Sequence, residues 1–275
     1  MTVLVTGASG FVGGRLARLL VERGERVKVL LRPNADRSNV KPLDVEIVTG
    51  DLRDEASLER ALKGCEGLYH VAADYRLWAR RIQDLYDSNV TGTRNILQAA
   101  LAQDVSRIVY CSSVATLGNP GDGTPANEDT PVSLTDMIGH YKRSKYLAEQ
   151  AVSEMIEREG LPVVIVNPST PIGPGDIKPT PTGRVIRDAA MGAMPAYVDT
   201  GLNVVHVDDV AQAHILAYEK GEIGRRYVVG GEDMSLQEIL AEVSRVAGRR
   251  PPTVRIPRGI VYPIAYIAQG WAWLT

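Results

Sequence analysis

Along this chain, short unbroken apolar runs alternate with longer stretches in which apolar residues recur at helical spacing. The first run, Val3, Leu4 and Val5, drops into a turn holding Gly7, Gly10 and Gly13, after which Leu16, Leu19 and Leu20 keep a helical period. That order predicts a strand, a tight loop and a helix. Runs at residues 27–31, 45–48, 68–71, 107–111 and 162–166 predict further strands, with a long helix over about residues 84–102 and another from near His140. Strands and helices alternating at these lengths imply an α/β fold, a doubly wound parallel sheet. Beyond Pro168 the rhythm changes, and Pro, Gly and Thr crowd residues 168–183. A first unit is therefore expected at residues 1–167 and a smaller lobe mainly over residues 168–275, with a strand and helix near residues 203–231 returning to the first unit. In this later part VVHVDDVAQAHILAYEK reads as a strand end and helix, RRYVVGG as a strand, and SLQEILAEVSRVAG as a Ser-capped amphipathic helix.

The glycine turn carries the first chemistry. A side chain there would block the backbone from a pyrophosphate, whose charge rests against free N–H groups and the positive end of the helix dipole. Lying between a strand and a helix, the turn reads as a dinucleotide phosphate cradle made by Gly7, Ser9, Gly10, Phe11, Val12 and Gly13. The second strand ends on Arg32, at the place where an acid would accept from both ribose hydroxyls and an Arg would pair with a 2′-phosphate. Arg32 favours NADP(H), with Arg37 as a second phosphate contact; a solvated loop arginine reads the same way, so NAD(H) stays open.

After the third strand, GDLRD places Asp51, with Leu52 beside it, to bond an adenine amino group, and makes Asp54 the better helix cap. After the fourth, His70 is a strand-end histidine, and Ala72 and Ala73 are small enough for a flat cofactor to pass. DYRLWARR then lies at the carboxyl end of a parallel strand, where open sheets bind ligands, so Tyr75, Arg76 and Trp78 are placed to touch substrate. A surface loop anchored by one buried Trp explains the same residues. Asn89, in the helical stretch SNVTGTRN, implies close packing, because mid-helix Asn and Gly cost stability.

Tyr141 and Lys145 stand one turn apart on a predicted helix, after a strand exit bearing Ser112 and Ser113. A phenol is a poor base at neutral pH, but a neighbouring ammonium and an oxidised nicotinamide both favour the phenolate. A fall of about three pKa units, ~4 kcal/mol, is within reach of such charges in a closed cleft. Tyr141 would then exchange a proton with a substrate oxygen while hydride moves at the nicotinamide. Lys145 would hold the ribose hydroxyls and tune the phenol, and Ser113 would hydrogen-bond the same oxygen.

Composition narrows the partners. The 275 residues are 44% hydrophobic, enough for one substantial core and a smaller lobe. A formal net charge of −2 with no basic block argues against nucleic acid. Cys65 and Cys111 belong to no CxxC or Cys/His group, so neither a disulfide framework nor a metal site is expected, and a reducing cytoplasm fits. The start lacks the apolar core of a signal peptide. The stretch GIVYPIAYIAQGWAWLT is broken by Pro263, Gln269 and Gly270 and is shorter than the ~20 residues of a membrane span; it reads as a helix of the small lobe or as a peripheral membrane contact.

TGASGFVG, GDLRD, HVAAD, NVTGTRN, YCSSVATLG, YKRSK, NPSTPIGP and VHVDDVA follow the order of the extended short-chain dehydrogenase/reductases, which the chain resembles over nearly its whole length. Within that branch, VAADYRLWA, DMIGHYKRSK, VNPSTPIGPGDIKPTPTGR and PAYVDTGLNVVHVDDVA resemble the bacterial hopanoid-associated sugar epimerases, close to the dihydroflavonol reductases. The resemblance implies a Rossmann fold with a small C-terminal substrate lobe and catalysis by Ser113, Tyr141 and Lys145. It also implies a nicotinamide lined by Pro168 and Ser169, Asn167 at the substrate side, and a homodimer through the helices after the fourth and fifth strands. Nucleotide-sugar dehydratases carry Asp and Glu just after the catalytic hydroxyl; Val114 and Ala115 stand there in this chain, which disfavours dehydration. Family chains usually run some tens of residues further, so part of the substrate lobe is expected beyond residue 275.

The first functional reading is an NAD(P)-dependent oxidoreductase or epimerase acting on a hydroxyl or carbonyl carbon of a small, sugar-like or polyol substrate. The second is an NADPH-dependent ketone reductase of the dihydroflavonol reductase type. A nicotinamide-sensing regulator is the third, though it has no use for an aligned Tyr and Lys beside a serine. Substrate would be read by loops near residues 75–78, 178–187 and 197–203, with Arg184 among the groups able to meet an anionic substituent.

Overall fold

A computed structural model describes residues 1–257, 259–261 and 263. The chain begins with β1 (Thr2–Thr6), α1 (Phe11–Glu22), β2 (Arg26–Leu31) and β3 (Glu46–Thr49). Next come α2 (Glu55–Leu62), β4 (Gly67–His70), α3 (Gln83–Tyr86), α4 (Gly92–Ala102) and β5 (Arg107–Cys111). Then follow α5 (His140–Glu159), β6 (Val163–Pro168), β7 (Thr170–Ile172), α6 (Pro181–Ala190) and β8 (Ala196–Val198). The described chain continues through β9 (Gly201–His206), α7 (Val207–Lys220), β10 (Arg226–Val229), β11 (Glu232–Ser235), α8 (Leu236–Val246) and β12 (Val254–Ile256).

Seven of these strands form one parallel sheet in the order β10-β6-β5-β4-β1-β2-β3. Its central strands are buried on both faces, as their apolar runs dictate. Alternation along β1 sends Leu4 to one side, where it joins Leu58, Leu62, Ile96, Leu97 and Val152 from α2, α4 and α5. Val3 and Val5 point to the other side, onto Leu16 and Leu20 of α1 and Ala211 and Ile215 of α7. Strand order reverses between β1 and β4, and the carboxyl edge at such a reversal is where open α/β sheets bind ligands. β10 and α7 return to this sheet from late in the sequence, while β7, β9 and β11 form a second sheet and β8 pairs with β12. Ser235 caps α8 with a reciprocal Glu238 contact, and Asp54 caps α2 by accepting from Ser57.

The helix read over residues 84–102 is not uniform. A π-helical turn, Asp87–Thr91, separates α3 from α4 and widens the backbone around buried Asn89. Gly92 follows because a Cβ there would stand 2.8 Å from the Leu52 Cβ. The C-terminal apolar stretch falls mostly outside the described residues. Among the described residues no helix is long and apolar enough to cross a membrane.

Two buried histidines set an acid limit on this core. Burial lowers His70 to about 3 and His214 to about 4. Unfolded, each takes a proton near pH 6.5, so their contribution is complete above that pH and is lost as pH falls toward 4. The denaturation midpoint should therefore drop between pH 7 and pH 4, by on the order of 1 kcal/mol per pH unit for each histidine. His214→Leu should flatten the profile. A midpoint independent of pH over that range would contradict the burial of both rings.

Candidate active site

The glycine turn is folded as tightly as its composition allows. Gly7 adopts φ 76°, and a Cβ on it would lie 2.7 Å from the Ala72 nitrogen at the exit of β4. A Cβ on Gly13 would lie 2.4 Å from the Gly7 carbonyl oxygen. Gly10 caps α1 with no side-chain partner and no acid stands in the first turn, so the terminal N–H groups face outward beside Ser9, buried Phe11 and half-buried Val12. Two braces fix the turn. The Asn39 amide donates to the Ser9, Gly10 and Gly175 carbonyls at 3.1–3.3 Å. Thr6 Oγ1 accepts from the Val71 and Ala72 N–H groups, which leaves its own proton for His70 Nδ1 at 2.8 Å and sends the His70 Nε2 proton to Thr93.

Arg32, just past β2, is exposed; its carbonyl accepts from the Ala35 N–H at 3.0 Å, and its guanidinium makes no hydrogen bond or ion pair with a described residue. It lies within electrostatic reach of Asp51. The Asp51 carboxylate is held by the Arg53 guanidinium at 2.8 and 2.9 Å and falls to about 2. The group read as an adenine acceptor thus already has an internal partner, while Leu52 packs over Gly92 and takes a hydrogen bond from Asn95 on its carbonyl.

Helix α5 brings the reactive groups to the carboxyl ends of β4, β5 and β6. Lys145 is 2% exposed, and its Nζ donates to the Cys111 carbonyl at 3.0 Å and to the Tyr110 hydroxyl at 3.2 Å. An ammonium has three protons, so one is left for a group outside the protein. Tyr141 is half-buried, with the Ser113 hydroxyl and the Lys145 ammonium beside its phenol. Burial raises the phenol pKa, and Lys145 and Ser113 oppose that rise without overcoming it. Among the chain's own groups desolvation outweighs the ammonium; the expected depression also counts the charge of an oxidised nicotinamide, which no side chain supplies. Ser113 Oγ accepts from the Ala115 N–H at 3.1 Å, leaving its proton free to donate.

Three further expectations meet the structure differently. Asn167 is fully buried, and its amide nitrogen donates to Ser113 O, Thr116 Oγ1 and Glu149 Oε2, supporting the serine loop from inside, while its Oδ1 has no partner among the described residues. Trp78 is 45% exposed; the loop is anchored by Ala79 and Leu85, which removes the buried-Trp explanation. Tyr75 lies within electrostatic reach of Asp176 and Arg184, so the loop after β4 and the segment leading into α6 do meet, although Arg76 is occupied by Asp74. Asn89, flagged by its odd place in a helix, accepts from Asp74 N and donates to Asp74 O and Ser144 Oγ; Ser144 in turn donates to Tyr141 O. It ties the β4 exit loop to the first turn of α5. Asn39, Tyr110, Ser144 and Glu149 were invisible in the sequence, since each acts across a long chain separation.

A dinucleotide fits these residues. The turn would be filled by any Cβ at Gly7 or Gly13, the α1 N–H groups lack a side-chain cap, and Ser169 Oγ, just past Pro168 at the end of β6, is buried with no partner. Ala72 and Ala73 are half-buried against the same turn. Among the described residues no group of His, Cys, Asp or Glu is placed to hold a metal ion.

Fold and site together define an NAD(P)-dependent oxidoreductase or epimerase of the extended short-chain type. The chain belongs to the NAD dependent epimerase/dehydratase family, whose profile matches residues 3–230. A Synechocystis protein named for dihydroflavonol 4-reductase is 46% identical over 269 residues, 96% of this chain and 78% of that relative. The crystal structure of gox2253 superposes with a TM-score of 0.92 at 53% identity, covering 99% of this chain and 82% of that one. The UDP-glucose 4-epimerase of Thermus thermophilus, solved with NAD, has a TM-score of 0.80 at 29% identity, covering 94% of this chain and 86% of that one.

Proposed function

We propose that this chain transfers hydride between NADP(H) and a hydroxyl or carbonyl carbon of a sugar-like or polyol substrate, with Tyr141 as the proton donor and acceptor. The observation that carries this reading is the Tyr141 phenol beside both the Ser113 hydroxyl and the Lys145 ammonium, on the helix that follows β5. Bound there, a nicotinamide supplies or accepts the hydride. Gly7, Gly10, Gly13 and the start of α1 would hold the pyrophosphate, Arg32 the 2′-phosphate, the spare Lys145 proton a ribose hydroxyl, and Pro168 with Ser169 the nicotinamide side. Ser113 would donate to the substrate oxygen and fix its angle for Tyr141.

A ketone reductase of the dihydroflavonol reductase type is the second reading, supported by the Synechocystis relative named for dihydroflavonol 4-reductase. Val114 and Ala115, folded as a short turn after Ser113, supply no acid or base for dehydration. We further propose that the protein works in the cytoplasm as a homodimer paired through α4 and α5.

Identifying the nucleotide that survives purification tests the reading. Firmly held NAD(H) would mark an epimerase, which re-reduces the carbon it oxidised; a freely exchanging site that takes NADPH would mark a reductase. Arg32→Ala should weaken NADPH by about tenfold and leave NADH unchanged in a fluorescence titration. Equal losses for both would remove Arg32 from the 2′-phosphate.

A further inference from the structure

Helix α5 presents three polar residues at four-residue spacing on one face, and only two of them enter the reaction above. The third, Glu149, is 4% exposed. Its Oε2 accepts from the Thr116 hydroxyl at 2.9 Å, from the Asn167 amide at 2.9 Å and from the Ser112 hydroxyl. Its Oε1 accepts from Arg226 Nη1 at 3.1 Å, and Arg226 Nε donates to the Glu128 carbonyl at 2.7 Å. A carboxylate this deep is costly unless its lone pairs are met, and here four donor residues from three separate segments meet it.

Two of those donors converge again on one atom. The Ser113 carbonyl accepts from Asn167 Nδ2 at 3.1 Å and from the Thr116 N–H at 3.1 Å, and the single Thr116 hydroxyl proton is shared between this carbonyl at 2.8 Å and Glu149 Oε2. Backbone at Ser113 is extended, so successive side chains point opposite ways: Ser112 toward Glu149 and Ser113 toward Tyr141. The carboxylate thus fixes the serine loop in register with the helix that carries Tyr141.

We propose that Glu149 is a positioning residue that sets the Ser113 hydroxyl against the Tyr141 phenol, acting through Ser112, Thr116 and Asn167. It touches neither substrate nor cofactor. The turnover part of the test rests on the function proposed above; the spectroscopic part does not.

Glu149→Gln keeps the side-chain volume but replaces an oxygen that only accepts with an amide that donates, against a ring of donors. With NADPH and diacetyl as the probe ketone, kcat should fall about 100-fold, as a misplaced reacting group does, with the Kd for NADPH unchanged. In a Ser113→Ala background the same substitution should alter kcat by less than about twofold, because its effect runs through the lost hydroxyl. Without any substrate, the ¹³Cζ resonance of Tyr141 should move in Glu149→Gln in the direction it moves in Ser113→Ala. If Glu149→Gln does not fold, Thr116→Val, which deletes one hydroxyl of the clamp, decides by the same cycle and resonance. Additive losses, or a Tyr141 resonance that responds to Ser113→Ala and not to the clamp variants, would overturn the assignment. If the unaltered chain reduces no diacetyl, that counts against the proposed function, and the resonance alone decides the role of Glu149.

Discussion

Tyr141→Phe lowers turnover by about a thousandfold and leaves the Kd for NADPH where it was; this is the largest catalytic effect expected of any single substitution in the chain. The ring keeps its volume, so packing at the start of α5 is preserved, and only the hydroxyl beside Ser113 and Lys145 is lost. Without it a carbonyl oxygen gaining charge has the Ser113 hydroxyl to lean on but no proton to take. Steady-state rates with diacetyl, read against a fluorescence titration of NADPH, separate the two quantities. An equal loss in binding and in rate would assign Tyr141 to the cofactor instead of to the chemistry.

Gly13→Ala, by contrast, is expected to remove dinucleotide binding while sparing the reactive trio. Inside a helix, Gly to Ala ordinarily stabilises by about 1 kcal/mol, and Gly13 lies in the first turn of α1. Here the new Cβ would stand 2.4 Å from the Gly7 carbonyl oxygen, 2.6 Å from its carbonyl carbon and 3.0 Å from the Ala8 nitrogen. All three are backbone atoms, so the turn itself must shift. The shift moves Gly7, which holds a φ of 76° at the centre of the turn. The variant should melt lower than the unaltered protein, against the sign of helix propensity, and its affinity for NADPH should fall at least about 100-fold, as in a site moved by an ångström. A melting temperature that rises would show that the turn yields freely.

Much of this architecture was legible in the sequence because its signals are local. Apolar runs, the glycine turn, the Asp54 and Ser235 caps and the one-turn spacing of Tyr141 and Lys145 each depend on a few neighbouring residues. What was not legible depends on the fold. Trp78 reads as core by its size, yet it is exposed because Ala79 and Leu85 do the anchoring. Asn167 lies near the end of buried β6, and nothing local reveals that its amide nitrogen supports the serine loop from inside. The burial that raises the Tyr141 pKa was not legible, because desolvation is a property of the surroundings and spacing reveals only the ammonium. A π turn at Asn89 and the carboxylate cluster at Glu149 join segments far apart in the chain, which no local period records.

The relatives bear on the chemistry without fixing the substrate. Exposed Leu77, Trp78, Ile138 and Ile177 stand on loops leading from β4 into α3, from β5 into α5 and from β7 into α6. The first two of those loops meet at the start of α5, through the Asn89 contacts to Asp74 and Ser144 and the Arg143 bond to the Met137 carbonyl. Sugar-like or polyol substrates that also carry an apolar substituent are therefore a rational first panel.

The most direct measurement is a single turnover with NADPH carrying deuterium at both C4 positions of the nicotinamide, using diacetyl as acceptor and mass spectrometry of the product. Deuterium on the new carbinol carbon, formed by the unaltered chain and absent from Tyr141→Phe over the same interval although that variant binds NADPH, is the expected result. Product without deuterium, or equal transfer by Tyr141→Phe, would contradict a phenol that protonates substrate while hydride moves beside it.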